Sequence, residues 1–383
     1  MAENTITGLV PEIFEALDIV SRELTGMIPS ATLNASANSA QVGQAIRVDV
    51  EPVGNVSNIT PAMVVPDPTG QTSGFTDIII TKSRAAEFGF NGEDQLGLNT
   101  GAGYGSVRAN KIAQAIRAVT NEVEADLCGL QSTFSRAVGT AGTTPFGTAN
   151  DYTDASKALQ VLKDNGSPLQ DNQLVINTNA GVNMLGKQAN VSDAGSDSIL
   201  RQGVLLDVNG MPIRESAQVN SVAAVGTTAN AVTTAGHAVG STSIVLKAGG
   251  SGTILAGDVI TFAGDTNQYV VVTGVGAVSG ATIVIAAPGL RQALPVGDKA
   301  ISIVAASARN MAFNRSAIVL ASRQPARPVE GDMALDVTTI TDPRSGLTME
   351  FAMYPGYRKV RYEVALAWGV KNIKPEHTAL LLG

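Results

Sequence analysis

Apolar residues at the start of the chain fall at helical spacing. Leu9, Ile13, Leu17, Val20 and Leu24 are separated by four, four, three and four residues, which predicts an amphipathic helix over 8–27. Pro11 is tolerated in its first turn, where an N–H has no intrahelical partner, and Gly26 suits its end. So short a helix is marginal alone, and its stripe needs a docking surface. A stronger pattern covers 106–138. Ile112, Ile116, Val119, Val123, Leu127, Leu130 and Phe134 recur at four, three, four, four, three and four. Ser106 is the expected N-cap and Gly139 the expected terminator. This spine helix would run about 45–50 Å, several times the average, with a bend at Gly129. Too few heptads and several small or polar seam positions argue against a coiled coil, which leaves a long helix backing a sheet.

Between these patterns the text changes. Short strands are expected at 45–50 and 76–82, around a Pro- and Gly-punctuated stretch, 51–75, with no core pattern of its own. That excursion reads as an extended hairpin or loop buried on a neighbouring chain. After the spine helix, "DYTDASKALQVLKDNG" predicts a helix with Ala155, Leu159 and Leu162 inward and Asn165-Gly166 as terminator. A strand at 173–177 and a helix from about 179 follow. This mixture is α+β.

Residues 221–305 hold few charges and read as short strands at 241–247, 257–264, 268–275, 280–287 and 299–305, with no helix between them. The pattern predicts a small all-β barrel or sandwich inserted into a loop of the α+β domain. The chain closes on a strand at 347–353, a turn at Pro355-Gly356, a long strand at 358–369 and a last strand at 378–382. In the long strand Tyr357, Lys359, Arg361 and Glu363 alternate with Arg358, Val360, Tyr362 and Val364, a period of two.

Composition sharpens this picture. Apolar residues make up 44% of the chain and charged residues only 15%, low for a soluble monomer's surface. The net charge is −7 and no basic block occurs, which argues against tight nucleic-acid binding through clustered cations. A surface that encloses nucleic acid without gripping it fits better. The first residues lack a signal-type apolar core and no stretch qualifies as a membrane span, so folding in a cytoplasm without a membrane is expected. Cys128 stands alone inside a helical pattern and reads as a buried small hydrophobe.

Candidate chemistry is sparse. His237 and His377 have no Cys, Asp or second His at a metal-ligand interval. "GAGYGS" at 101–106 precedes a helix but lacks the preceding strand and the Lys of a phosphate-binding loop, and reads as a flexible joint. Asp336 and Asp342, with Glu330 and Asp332, fit a solvated loop rim better than a cation site. "GDTNQ" at 264–268 is a turn without a calcium loop. No catalytic, cofactor-binding or metal residue is assigned, and an enzyme is not expected.

The closing segment "GLTMEFAMYPGYRKVRYEVALAWGVKNIKPEHTALLL" resembles the last strands of tailed-bacteriophage major capsid proteins. Trp368, Gly369, Val370, Lys371, Lys374 and Pro375 carry the likeness. "AGDVITFAG" at 256–264 is similar to a strand of the inserted β-barrel of the short-tailed, scaffold-dependent coat-protein group. "RNMAFNRSAIVLASR" at 309–323 resembles the segment after that insert, through Ala312, Phe313 and Ala317.

The resemblance implies the tailed-phage capsid fold. Its parts would be an N-terminal arm (1–45), an extended loop (46–95), a peripheral domain (96–175) with the spine helix 106–138, and an axial domain (176–220 and 306–340). The inserted barrel (221–305) would interrupt the axial domain, and the C-terminal strands (341–383) would complete the peripheral sheet. The resemblance further implies self-assembly as hexamers and pentamers into an icosahedral procapsid, with a separate scaffolding protein, a portal protein and room for a decoration protein. The shell would expand around packaged double-stranded DNA without sequence-specific binding, and would assemble in the host cytoplasm to become the virion. The alternatives are a bacterial encapsulating shell protein, which shares the general fold, and a secreted adhesin-like module, which strands 241–287 suggest but which needs a secretion signal.

Overall fold

The computed structural model describes residues 23–51, 58, 59, 61, 74–99, 103–149, 151–187, 205, 207–227, 231–233 and 235–383. Most of the helix expected over 8–27, and most of the excursion 51–75, lie outside the described residues. Where that first helix should end the chain is not helical. Residues 23–26 are extended or irregular, and one helical turn, Met27–Ser30, follows Gly26. Leu24, placed in the apolar stripe by its spacing, is 49% exposed, and its carbonyl accepts the Ala217 N–H at 3.0 Å.

The spine helix runs Tyr104–Gly129. It is about 39 Å long rather than the 45–50 Å expected. It begins two residues before Ser106, whose hydroxyl donates to Gly103 O at 3.0 Å. Gly129 ends it instead of bending it: a 3₁₀ turn, Leu130–Thr133, follows, and Arg136–Gly139 is a strand. The reason is tertiary. Residues 136–139 pair in parallel with Thr378–Leu382, and the ladder outweighs local helix preference. Phe134 is fully buried as its spacing required, but on extended backbone.

The helix backs a six-stranded sheet centred on Lys359–Asn372. One side of this long strand pairs over ten positions with Lys82–Asn91. The other side is shared, Thr348–Gly356 along its first half and Ile318–Pro325 along its last. Thr32–Ala40 adds in parallel to Ile318–Pro325, and Asp336–Thr341 adds to Thr348–Gly356. Alternation then does the sorting. Val360, Tyr362, Val364, Leu366 and Trp368 enter the cluster around the spine helix, and Lys359, Arg361 and Glu363 face away. The closing turn is Tyr357-Arg358, two residues later than expected, because Pro355 and Gly356 still pair with Val360 and Lys359. Arg358 adopts φ 54° there.

A second sheet is buried on both faces. Asn172–Ile176, Ser307–Asn314 and Thr378–Leu382 contain only buried residues. Val175, Met311, Phe313, Leu380 and Leu382 meet the spine-helix cluster. Leu174, Ile176, Ala312, Ala379 and Leu381 pack under the helices Thr153–Asp164 and Thr178–Lys187. The last residues of the chain are therefore an interior strand.

Residues 231–303 form six short antiparallel strands around a separate apolar cluster that includes Ile244, Ile260, Phe262, Tyr269, Ile283 and Ile301. Neighbouring strands pair in the order 232–233, 299–303, 259–262, 268–273, 282–285 and 243–245. The circuit returns on itself, since Lys247 N donates to Val232 O at 2.7 Å and Thr233 Oγ1 to Val245 O at 2.7 Å. Gln268 and Tyr269 also pair with Ala137 and Arg136, which sews these strands to the second sheet.

Candidate assembly surface

The residues that carried candidate chemistry are dispersed, and no cluster of three or more metal-ligating side chains occurs among the described residues. His237 Nε2 lies 3.1 Å from Thr233 Oγ1, and burial lowers its pKa. His377 is likewise lowered by burial. Of "GAGYGS", residues 101 and 102 lie outside the described residues, and Gly103 takes φ 87° before the helix. Asp342 departs from the rim expected for it. It is fully buried and accepts from Ser345 Oγ at 2.6 Å, organising its own turn. Asp332 accepts from Tyr354 OH at 2.9 Å. Cys128 is buried as its spacing predicts, and burial together with the charge of Glu124 pushes its thiol up to about 12.

What the fold does build is a projecting hairpin. Ala45–Val50 pairs with Gly74–Ile79 in a two-stranded sheet joined to neither larger one, from Ala45↔Ile79 to Val50↔Gly74. Its base is rooted: Ile78 and Ile80 are fully buried with Ala40, Val319, Ala321 and Ala367 on the sheet face opposite the spine helix. Lys371 Nζ donates to Asp77 O at 2.8 Å. Gly369 makes this root possible. A Cβ there would overlap Ile79 O well inside their van der Waals contact distance, so only glycine lets the hairpin backbone cross the central strand. On the strand 74–79, Phe75 (55% exposed) and Ile79 (52%, between the two buried root residues) present apolar surface, and Arg47 stacks 3.7 Å from the Phe75 ring centre. A two-stranded ribbon with so little burial is marginal in water.

On the opposite face Trp368 is fully buried, and its indole N–H donates to Asp126 Oδ2 at 2.8 Å. Consecutive residues of the "WGV" run thus fix the spine helix on one side of the sheet and admit the hairpin on the other. The chain leading into the sheet is anchored on the spine helix too. Glu124, fully buried, accepts the N–H groups of Gly26 and Met27 at 2.7 Å each, of Ile28 at 2.9 Å, and the Ser216 hydroxyl at 2.7 Å. The Arg117 guanidinium and the Asn121 amide hold the Glu23 carboxyl down to about 2. Sequence patterns did not reveal Glu124 or Glu23, because a carboxylate beside an unbroken apolar stripe reads as part of the solvated face, and the groups that bind these two are remote in sequence or in a segment that is not helical.

Beyond the hairpin root the same sheet face carries charge. Glu87 and Glu363 are direct cross-strand neighbours, and Arg361 pairs with Glu87. Burial first, then the Glu87 charge, raises the Glu363 pKa. Arg327 reaches over this face to Glu350 at 2.8 Å. No helix among the described residues is long and apolar enough to cross a membrane.

No family model matches the chain, and no curated protein does. Several solved structures are similar to it. The capsid of the cyanophage P-SCSP1u is 11% identical, with 95% of this chain and 89% of that chain covered and a TM-score of 0.49. The capsid asymmetric unit of cyanophage A-1(L) is 10% identical, with 94% and 93% covered and a TM-score of 0.49. A virus-like particle from Pyrococcus furiosus is 10% identical, with 98% of each chain covered and a TM-score of 0.41.

Proposed function

We propose that the protein is a shell-forming coat subunit, the major capsid protein of a tailed bacteriophage, which assembles as hexamers and pentamers into an icosahedral shell around double-stranded DNA. The observation that carries this reading is the hairpin 45–50/74–79. It is rooted firmly through Gly369 yet exposes Phe75 and Ile79, so its burial is to be completed by a neighbouring copy. The resemblance of Trp368–Pro375 to the closing strands of such proteins supports it, as does the low charge of the chain. Obligate interfaces of this kind bury about 2,000–5,000 Å². A scaffolding protein and a portal protein belong to this reading as assembly partners, a decoration protein as an accessory, and the virion as its location. Within it, the strands of 231–303 form an inserted barrel domain between the two parts of an axial domain. No reaction is assigned to the chain.

Electron microscopy of the protein expressed alone, and again with its candidate scaffolding partner, tests the proposal. Closed shells with hexameric and pentameric clusters are expected, and deletion of 51–75 is expected to abolish them while leaving the core folded. Monomers in both samples at high concentration would overturn it.

A further inference from the structure

Three Asn-Gly pairs occur in the sequence, Asn91-Gly92, Asn165-Gly166 and Asn209-Gly210, and the fold treats them differently. Before glycine, the next backbone nitrogen reaches an Asn side-chain carbonyl carbon most readily, since no Cβ obstructs it and the backbone turns freely. Attack requires a nitrogen whose N–H is not held by an acceptor. It also requires a carboxamide free to swing over that nitrogen.

Asn91 and Asn165 lack both conditions. Asn91 caps the helix Gly92–Asn99: its Oδ1 accepts from Asp94 N at 2.7 Å, and its own N–H donates to Asp94 Oδ2 at 3.2 Å. Gly92 N donates to Arg358 O at 3.2 Å. Asn165 Nδ2 donates to Ser135 Oγ at 3.0 Å and Glu376 O at 2.9 Å, and Gly166 N donates to Lys163 O at 3.0 Å.

Asn209 and Gly210 instead form the tip of a two-residue turn, closed by Val208 N to Met211 O at 3.1 Å and Met211 N to Val208 O at 3.0 Å. Their φ values, 55° and 75°, are both left-handed, the hairpin geometry that selects Asn-Gly. Among the described residues the Gly210 N–H meets no acceptor, and a Cβ built on Gly210 would find nothing within 4 Å. Asn209 is exposed, with one tie, Nδ2 to Ser156 Oγ at 2.8 Å.

We propose that Asn209-Gly210 is a site of spontaneous intramolecular deamidation, selected over the other two pairs by the fold. Hydroxide removes the Gly210 N–H proton, the nitrogen bonds to Cγ of Asn209, and the bond from Cγ to Nδ2 breaks. The departing nitrogen takes a proton from water and leaves as ammonia. Water then opens the succinimide at either carbonyl, giving an aspartyl or an isoaspartyl residue. The product loses the donor to Ser156 and places a carboxylate in the groove lined by Lys163 and Asp164. The isoaspartyl form also adds a methylene to the turn that leads into the buried Met211, so the tether to the helix 153–164 is released.

The test is incubation of the full chain at mildly alkaline pH, folded and in urea, followed by peptide mapping with mass spectrometry and enzymatic isoaspartate labelling. In the folded protein the rate at Asn209 is expected to exceed those at Asn91 and Asn165 by about tenfold or more, since each hydrogen bond that must open suppresses attack by roughly that factor. In urea the three rates are expected to converge, and Asn209→Gln is expected to remove the dominant signal. Comparable rates at all three sites in the folded chain would overturn the proposal. So would an unmodified Asn209 in folded protein whose unfolded form deamidates at every pair.

Discussion

The indole N–H of Trp368 and the ammonium of Lys82 share one carboxylate of the spine helix, Asp126, each at 2.8 Å. Lys82 and Trp368 face each other in register on neighbouring strands, so one helix side chain ties two strands at once. A buried indole needs an acceptor for its N–H, and the partly exposed carboxylate supplies one without losing all its hydration. Asp126, with help from Glu122, keeps the Lys82 pKa raised against the opposing effect of burial.

Trp368→Phe should therefore do more than remove volume. Loss of the pyrrole half of the indole with its donor is expected to cost about 2–4 kcal/mol, whereas Asp126→Asn, which keeps the shape, should cost about 1 kcal/mol. Urea unfolding measures both. An unchanged midpoint for Trp368→Phe would show that the indole does not hold the helix to the sheet.

Gly369→Ala tests the other face of the same strand. The added methyl must displace the Ile79 carbonyl, an overpacking that costs about 1–3 kcal/mol. Far-ultraviolet dichroism should stay near wild type, because the central strand keeps its other pairings. Amide exchange in 45–50 and 74–79 should speed up, and closed particles should be lost. A variant with a protected hairpin and normal particles would show that the root tolerates displacement.

These positions also mark how far the sequence could be read. Val360, Tyr362, Val364 and Trp368 are inward by a simple period of two, and that pattern holds because one face of their sheet is apolar throughout. Phe134 was legible as core but not as extended backbone leading into the strand 136–139, since a helical spacing continued by chance past Gly129 cannot reveal a parallel partner at 378–382. Thr32–Ala40 gave no signal at all. Leu33, Ala35, Asn38 and Ser39 are exposed, and its place is set by pairing with Ile318–Pro325. Gly369 was visible as part of a resemblance, but its reason required the hairpin backbone to be seen crossing it.

The Glu23 anchor predicts a pH dependence of definite sign. Its carboxyl is held near 2 against an ordinary 4.5, chiefly by Arg117, so its contribution is complete above about 4.5 and is lost as pH falls toward 2. The pair is partly exposed and its effect is accordingly local. Amide exchange across 23–30, compared between wild type and Glu23→Gln, should differ above pH 4.5 and converge near 2. Glu363 has the opposite sign: its pKa is raised, so protonation relieves a penalty and the pairing of 82–91 should not weaken in that window. Identical exchange in the two proteins at all pH values would remove Glu23 from the anchor.

Cys128 should be inert in the folded chain. Its thiol, pushed up to about 12 and buried, offers almost no thiolate at neutral pH. A disulfide reagent should label it only after unfolding, and stoichiometric labelling of the native protein would contradict the packing of the spine helix at that turn.

Glu124 gives the sharpest test of how the chain enters the sheet. Oε1 accepts from Gly26 N, Met27 N and Ser216 Oγ, while among the described residues Oε2 accepts only from Ile28 N. Glu124→Gln can therefore keep its carbonyl oxygen on the first three donors. It must then set its NH₂ against the Ile28 N–H, donor to donor, inside a fully buried site. The loss is one charge-assisted bond plus one unsatisfied donor, about 2–4 kcal/mol. Glu124→Ala exposes all four donors at once and should cost more, with Met27–Ser30 detached and cleavable by protease near Gly26. If the glutamine variant unfolds at the wild-type midpoint and resists cleavage, the amides of residues 26–28 have other acceptors and the anchor is not this carboxylate.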